Sequence, residues 1–341
     1  MHLRLDPWAV EYNTSYHAEV VAEDSGAEVD VGVERPAGAW EPLAPAPTEP
    51  LWDELLFLDG SRRVEARLLL EDGLRQTAFG VMGSYGVGAV WCCARGSRPA
   101  RFVDESDFMV IQRVCALSAG QRIDNFNILE LPPLRLGRLE YRVEPTGEQD
   151  SDAVVRRLQA AMREAEAQLA ARLIREFPGA LVVCDGPRPY LGTDRNLIGY
   201  VKTIHNPRVG QRELDVVRKL RQGERSPIYL VESRNPEHRT FEWFFRLRDP
   251  NPWLYSLAGM VRLQAHAGTN PAERLEGVQQ LADWLCGRLP VYASRQHQDP
   301  RAPQQLLPVR ALEAELGRRM GHPQLIRRRI TRYLSAQLPD A

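Results

Sequence analysis

Residues 151–187 read SDAVVRRLQAAMREAEAQLAARLIREFPGALVVCDGP, and the order of parts in this stretch decides the fold. Val155, Leu158, Met162, Ala165, Leu169 and Leu173 recur at intervals of three and four, which draws a single apolar stripe along a helix. Ser151 or Asp152 can cap its start, and FPG at 177–179 ends it. ALVVCDGP (180–187) then reads as a buried strand that stops at Asp185.

On the N-terminal side, LLFLD (55–59) is a short buried strand, broken by GSRR and followed by RVEARLLL (63–70) with partial alternation. After an EDGL turn, RQTAFGVMGSYGVGAVWCCA (75–94) reads as one or two further strands. Strands joined by such short turns must pair antiparallel, because parallel neighbours need a longer crossover. FMVIQRVCALSA (108–119) has the content of a helix, and NFNILELPPLRLGRLEYRVE (125–144) looks extended, interrupted by Pro132 and Pro133. Near the start, a helix is expected around Tyr12 to Val21. In ERPAGAWEPLAPAPTEPLW (34–52) the prolines exclude a long helix or a central strand. Residues 1–50 therefore read as a linker or ordered arm in front of one main unit over 51–335.

On the C-terminal side, LIGYVKTIHN (197–206) and SPIYLVES (226–233) read as strands, with a helix at ELDVVRKLRQG (213–223) between them. FEWFFRLR (241–248) and LAGMVRLQA (257–265) can pair as a hairpin around DPNPW. Helices are expected at PAERLEGVQQLADWLCGRL (271–289), ALEAELGRRMG (311–321) and QLIRRRITRYLSAQL (324–338). The whole is α/β, a mixed central sheet with flanking helices. An antiparallel meander, a long helix and then a strand in a new position is the connectivity of a ribonuclease-H-like core.

That connectivity lets the first strand and the strand after the helix lie side by side. Asp59 and Asp185 each follow four apolar residues at a strand end, so the two carboxylates are expected to meet. A carboxylate ending a buried strand is costly unless it is compensated, although an Asp-Gly turn alone can do this. Glu166 lies at the border of the helix's apolar stripe, within reach of the aspartates, whereas Glu164 points elsewhere. Three such carboxylates suit hard divalent cations, and two Mg²⁺ or Mn²⁺ ions about 3.5–4 Å apart can clamp a scissile phosphate. Lys202 in GYVKT is expected on a strand beside Asp185, placed to bind phosphate oxygens or to orient water.

Composition sets outer bounds. The chain has 341 residues, 43% hydrophobic and 26% charged, ordinary for one sizeable core or two small ones. No apolar run approaches the roughly 18 residues of a membrane span, and the opening MHLRLDPWAVEYN lacks the pattern of a secretory signal, so the expected location is cytoplasmic. The five cysteines form no CxxC pair and leave one over, which fits buried thiols better than a disulfide scaffold. Lys plus Arg number 44 against 45 acids, so net charge neither favours nor excludes a nucleic-acid partner.

The pair DGS (59–61) and DGP (185–187), Arg163 with Glu166 in the helix, GYVKT (199–203) and FFRLR…GMVRLQA (244–265) together resemble the NurA family of DNA-end-processing nucleases. The similarity covers roughly residues 50 to 330 and lies in order and spacing rather than in one motif. The resemblance implies a ribonuclease-H-like fold, Mn²⁺-stimulated 5′→3′ cleavage of DNA and endonuclease action on single strands. It also implies a ring-shaped homodimer docked on a HerA-type hexameric ATPase during end resection. By this likeness Asp59, Glu166 and Asp185 match the family's acidic ligands, and Lys202 its lysine. Members carry a further histidine near the last helices; DPRAPQQLLPVRALEAEL (299–316) has none, and His297 or Asp299 is expected to replace it.

Arg62 and Arg63 are placed to hold DNA phosphates beside the metals, with RRRI (327–330), Arg246, Arg248 and Arg262 as further contacts. Tyr85, Trp91, Trp243 and Phe245 are candidate base-stacking groups, against the commoner role of strand aromatics in a core. GVMGSYGVG (80–88) is glycine-rich but lacks the lysine and hydroxyl of a phosphate-cradling loop; its glycines fit a strand that admits close backbone approach. Two other classes compete with the nuclease: a non-catalytic adaptor for DNA ends or the translocase, and an acid-rich phosphatase or glycosidase.

Overall fold

A computed structural model describes residues 2–5, 27–71, 77–94, 98–103, 107–118, 128–134, 137–191, 196–202, 204, 206–249 and 255–336. The helix expected around Tyr12 to Val21 lies outside them. In chain order the first strands are His2–Leu5 (β1), Val29–Asp30 (β2), Glu54–Glu71 (β3), Thr77–Cys93 (β4) and Arg101–Phe102 (β5). Val110–Leu117 (β6), Ile128–Leu134 (β7) and Gly137–Pro145 (β8) follow, then helix Ser151–Glu176 (α1). Ala180–Asp185 (β9), Leu197–Val201 (β10), Gln211–Lys219 (α2), Tyr229–Val231 (β11), Thr240–Arg246 (β12) and Met260–His266 (β13) come next. The chain ends on three helices, Pro271–Arg288 (α3), Leu307–Arg319 (α4) and Pro323–Ser335 (α5).

All the strands join one mixed sheet in the order β2-β11-β12-β13-β10-β9-β3-β4-β6-β8-β7, with β1 on β3 and β5 on β4. β9 is parallel to both β3 and β10, and the β12–β13 hairpin pairs antiparallel as expected. The class is therefore α/β, a large mixed sheet flanked by helices. No helix is long and apolar enough to cross a membrane among the described residues.

Three expectations need correction. LLFLD and RVEARLLL are not two strands: β3 runs through DGSRR unbroken, because β4 supplies a partner along its whole length, with one irregularity between Val64 and Ala66. Within 75–94, Thr77–Cys93 make one continuous strand, in keeping with the expectation of one or two. Within 108–119, Val110–Leu117 form β6, not a helix. Val110, Ile111 and Val114 suit a pleated surface, and the open edge of β4 pairs with them from Leu117 to Val110. At α1 the cap is Asp150, whose carboxylate accepts from the Asp152 N–H, rather than Ser151 or Asp152.

Side-chain alternation along β3 and β9 divides the centre of the sheet into two faces. Leu56, Leu58, Val182 and Cys184 pack with Leu158, Leu169 and Leu173 of α1. Leu55, Phe57, Leu181 and Val183 pack on the other face with α3 and with Leu312 and Leu316 of α4. Glycines in β4 let both layers come close. A methyl at Gly83 would collide with Leu158 of α1, and one at Gly88 would sit 3.0 Å from Leu312 Cδ1 of α4. Gly88 stands opposite Asp59, so the close seat of α4 lies beside that residue.

Residues 27–50 are an ordered arm. β2 adds to β11, Trp40 is buried, and the Glu34 carboxylate takes two hydrogen bonds of 2.9 Å from Arg225 and one from the Ile228 N–H. Arg225 also donates to Asp283 on α3, which ties arm, sheet and helix together.

Candidate metal centre

The parallel register sets Leu58 opposite Cys184, and each strand then ends its apolar run in an aspartate. Asp59 and Asp185 follow the parity of Phe57 and Val183, so both carboxylates emerge on the face covered by α4. Glu313 projects from the first turns of α4, and one oxygen from each of Asp59, Asp185 and Glu313 falls within 4.8 Å of the others. These three can hold a metal ion.

Two observations bear on whether a cation fits. Asp59 is 6% exposed, and its Oδ2 has no hydrogen-bond partner; Asp185 Oδ1 is likewise buried without one. Orphaned buried carboxylate oxygens are costly, and a divalent cation coordinated by oxygen would satisfy both. Burial, then the neighbouring Asp185 charge, raises the Asp59 carboxyl well above its ordinary range, against an opposing pull from Lys202. Asp185 is also raised, by burial, although Lys202 counteracts it.

Lys202 follows β10 directly and reaches back across the strand end. Its Nζ donates to Asp185 Oδ2 at 2.5 Å and to Gln305 Oε1 at 2.5 Å. Gln305 is fully buried in the segment before α4, and its Nε2 has no partner. The neighbouring Gln304 carbonyl accepts from the Tyr200 hydroxyl at 2.7 Å, so the same segment is fastened to β10 twice. The sequence holds only two lysines, Lys202 and Lys219, among 44 basic residues.

Glu166 does not stand in the three-carboxylate group. It rises from α1 on the opposite face, against Gly60, where a methyl group would collide with its carboxylate. Burial first, then Asp185, pushes its carboxyl up to about 8, while Arg163 and the Gly60 N–H work the other way. It is thus a half-buried neighbour of the aspartates on the other face of β3.

The expected replacement ligands lie elsewhere. His297 is exposed. Asp299 is engaged by the side chain and N–H of Arg301 and approached by Arg310. Burial acts upward on its carboxyl, but these contacts prevail and hold it low. Glu313 takes the place assigned to them, and Arg301 bridges Asp299 to Glu313 with bonds of 2.9 and 2.7 Å to the latter. Glu313, Gln305 and Arg301 were not legible as site residues; the one available signal was an acid beside Leu312 and Leu316 on a helix.

Most of the expected DNA contacts are structural. Arg246 is buried and donates to the carbonyls of Leu220, Ala258, Arg218 and Ser256. Arg262 is buried beside Glu242 and donates to the Asn206 carbonyl. Arg63 pairs with the buried Glu65 and donates to the Met320 and Gly321 carbonyls, where α4 ends. Within RRRI, Arg329 is buried and Arg328 exposed; Arg248 is half-buried. Arg62 is half-buried opposite Tyr85, on the α1 side. Tyr85, Trp91, Trp243 and Phe245 are all core residues rather than a stacking platform. The cysteines are free thiols, four of them buried. No family model matches this chain, and no curated protein matches it either.

Proposed function

We propose that this chain is a divalent-metal-dependent nuclease that hydrolyses phosphodiester bonds of DNA, on a ribonuclease-H-like core. The order β6-β4-β3-β9-β10, in which β9 and β10 run parallel to β3, supports that core. The observation that carries the chemistry is the pair of unpartnered buried oxygens, Asp59 Oδ2 and Asp185 Oδ1, beside Glu313. Asp59, Asp185 and Glu313 are the residues that would hold the metal. A divalent cation bound there supplies a Lewis acid for phosphoryl oxygen and lowers the pKa of water. The carboxylates act as scaffold, Lys202 offers N–H donors for phosphate oxygens, and Gln305 fixes where the lysine sits. Mn²⁺ or Mg²⁺, DNA ends as substrate, a homodimer and a HerA-type ATPase partner are part of this proposal through the likeness to NurA nucleases.

Incubation with labelled single-stranded and duplex DNA and Mn²⁺, with and without EDTA, tests it. Metal-dependent cleavage that disappears in Asp59→Ala is the expected result. Intact DNA under every condition, ATPase partner included, overturns it.

One observation favours a second reading, an adaptor that binds DNA ends without cutting them. Asp185 already holds Lys202, and Glu313 already holds Arg301, so much of the acidic charge is balanced from within the chain. Such a protein would retain DNA affinity in the absence of any divalent ion.

A further inference from the structure

We infer that the site takes one divalent cation per chain, and that Lys202, held by Gln305, stands where a second cation would otherwise be needed. The inference rests on the nuclease reading for its purpose, but its content is a count of ions. Asp185 has two oxygens with different fates. Oδ2 accepts the Lys202 ammonium at 2.5 Å, while Oδ1 is buried and unpartnered. Asp59 offers one orphaned oxygen, Oδ2. Both oxygens of Glu313 already bond Arg301, so a cation must share that carboxylate rather than own it. The unclaimed buried oxygens therefore suit one ion seated between the two aspartates, with Glu313 at its side.

Charge points the same way. With Lys202 on Asp185 and Arg301 on Glu313, the three carboxylates keep about one net negative charge, which a single divalent ion already more than balances. A second divalent ion would leave a strongly positive pocket at a largely buried position, where uncompensated charge is expensive. The lysine is not free to leave, because Gln305 Oε1 holds the same Nζ at 2.5 Å from a fully buried side chain. An ammonium has three protons. Two are committed to Asp185 and Gln305, and the third is available to a phosphate oxygen, so the ammonium can serve charge that a second ion would serve in a two-ion site.

Mn²⁺ titration of the full-length chain by calorimetry, with the electron paramagnetic resonance spectrum of the loaded protein, tests the count without any substrate. Wild type is expected to bind one Mn²⁺ and to show the six-line spectrum of an isolated ion. Lys202→Ala, and Lys202→Met, which keeps the packing of the stem, are expected to bind two, with loss of the six-line pattern through coupling between neighbouring ions. A folded state is checked by thermal melting of both variants. Two ions on the wild type overturn the inference and leave the nuclease reading standing. One ion on both folded Lys202 variants also overturns it, because the lysine would then stand in for nothing. No Mn²⁺ bound to the wild type at all removes both readings.

Discussion

Asp59, within β3, and Asp185, at the end of β9, lie on neighbouring parallel strands one residue past the Leu58–Cys184 pair, and each leaves a buried oxygen without a hydrogen bond. Burial is the larger force raising both carboxyls, and at Asp59 the neighbouring Asp185 charge adds to it. The metal-free folded chain carries this cost. Asp59→Asn should therefore stabilise the metal-free protein by about 1–3 kcal/mol while abolishing stabilisation by Mn²⁺ and any cleavage. Denaturant melts with EDTA and with Mn²⁺ measure both effects. A variant less stable than wild type in EDTA would contradict the repulsion.

Glu313, not His297 or Asp299, should matter for cation affinity. Glu313→Gln is expected to weaken Mn²⁺ binding at least about 10–100-fold, the usual cost of disturbing even an outer-shell partner. His297→Ala should leave affinity unchanged, since that side chain is exposed and outside the acidic group. Calorimetric titration of the two variants side by side decides it.

Glu166 gives the metal-free protein a pH dependence. Its folded-state carboxyl is pushed up to about 8 from an ordinary 4.5. Between those values the folded chain binds the proton more tightly than the unfolded chain, so stability falls as pH rises. The expected slope from this one group approaches about 1.4 kcal/mol per pH unit inside that window and vanishes above it. Glu166→Gln should flatten the contribution. Equilibrium unfolding in EDTA from pH 5 to 8 reads the slope directly; a rise in the wild-type stability over that range would reverse the sign claimed.

Arg246 should behave as a core residue. It holds four carbonyls at the close of α2 and in the approach to β13. Arg246→Ala strands those acceptors and is expected to destabilise the fold by on the order of 3 kcal/mol. The salt dependence of DNA binding by whatever remains folded should match wild type, because no phosphate contact is lost.

The legible part of the site was the part written in strands. An acid after a run of apolar residues marks where the buried stretch of a strand stops, and the intervening long helix puts β9 beside β3, so the pairing of Asp59 with Asp185 is legible in the sequence. Glu313 is not, because a glutamate in ALEAEL looks like any solvated helix position until Gly88 shows how closely α4 is seated. Arg246 and Arg262 were misjudged for a related reason. On β12 and β13 they alternate with Phe245 and Val261, which implies an outward face, but α2 together with Ile204, Asn206 and Val209 covers that face and buries them. β6 carries residues that suit either a helix or a strand, and only the unpaired edge of β4 decided between them. Glu166, at the border of the apolar stripe, does approach the aspartates, but from the other face of β3 across Gly60.

The clasp of Glu34 on Arg225, which also holds Asp283, has a consequence for how the chain is made. The arm is synthesised well before its hydrogen-bond donors, Arg225 beside the sheet and Gln279 on α3. At ordinary synthesis rates residues 27–50 wait on the order of ten seconds or more before their docking surface exists. During that interval Trp40 has nowhere to bury, and a chaperone that shields nascent apolar segments would find its client there.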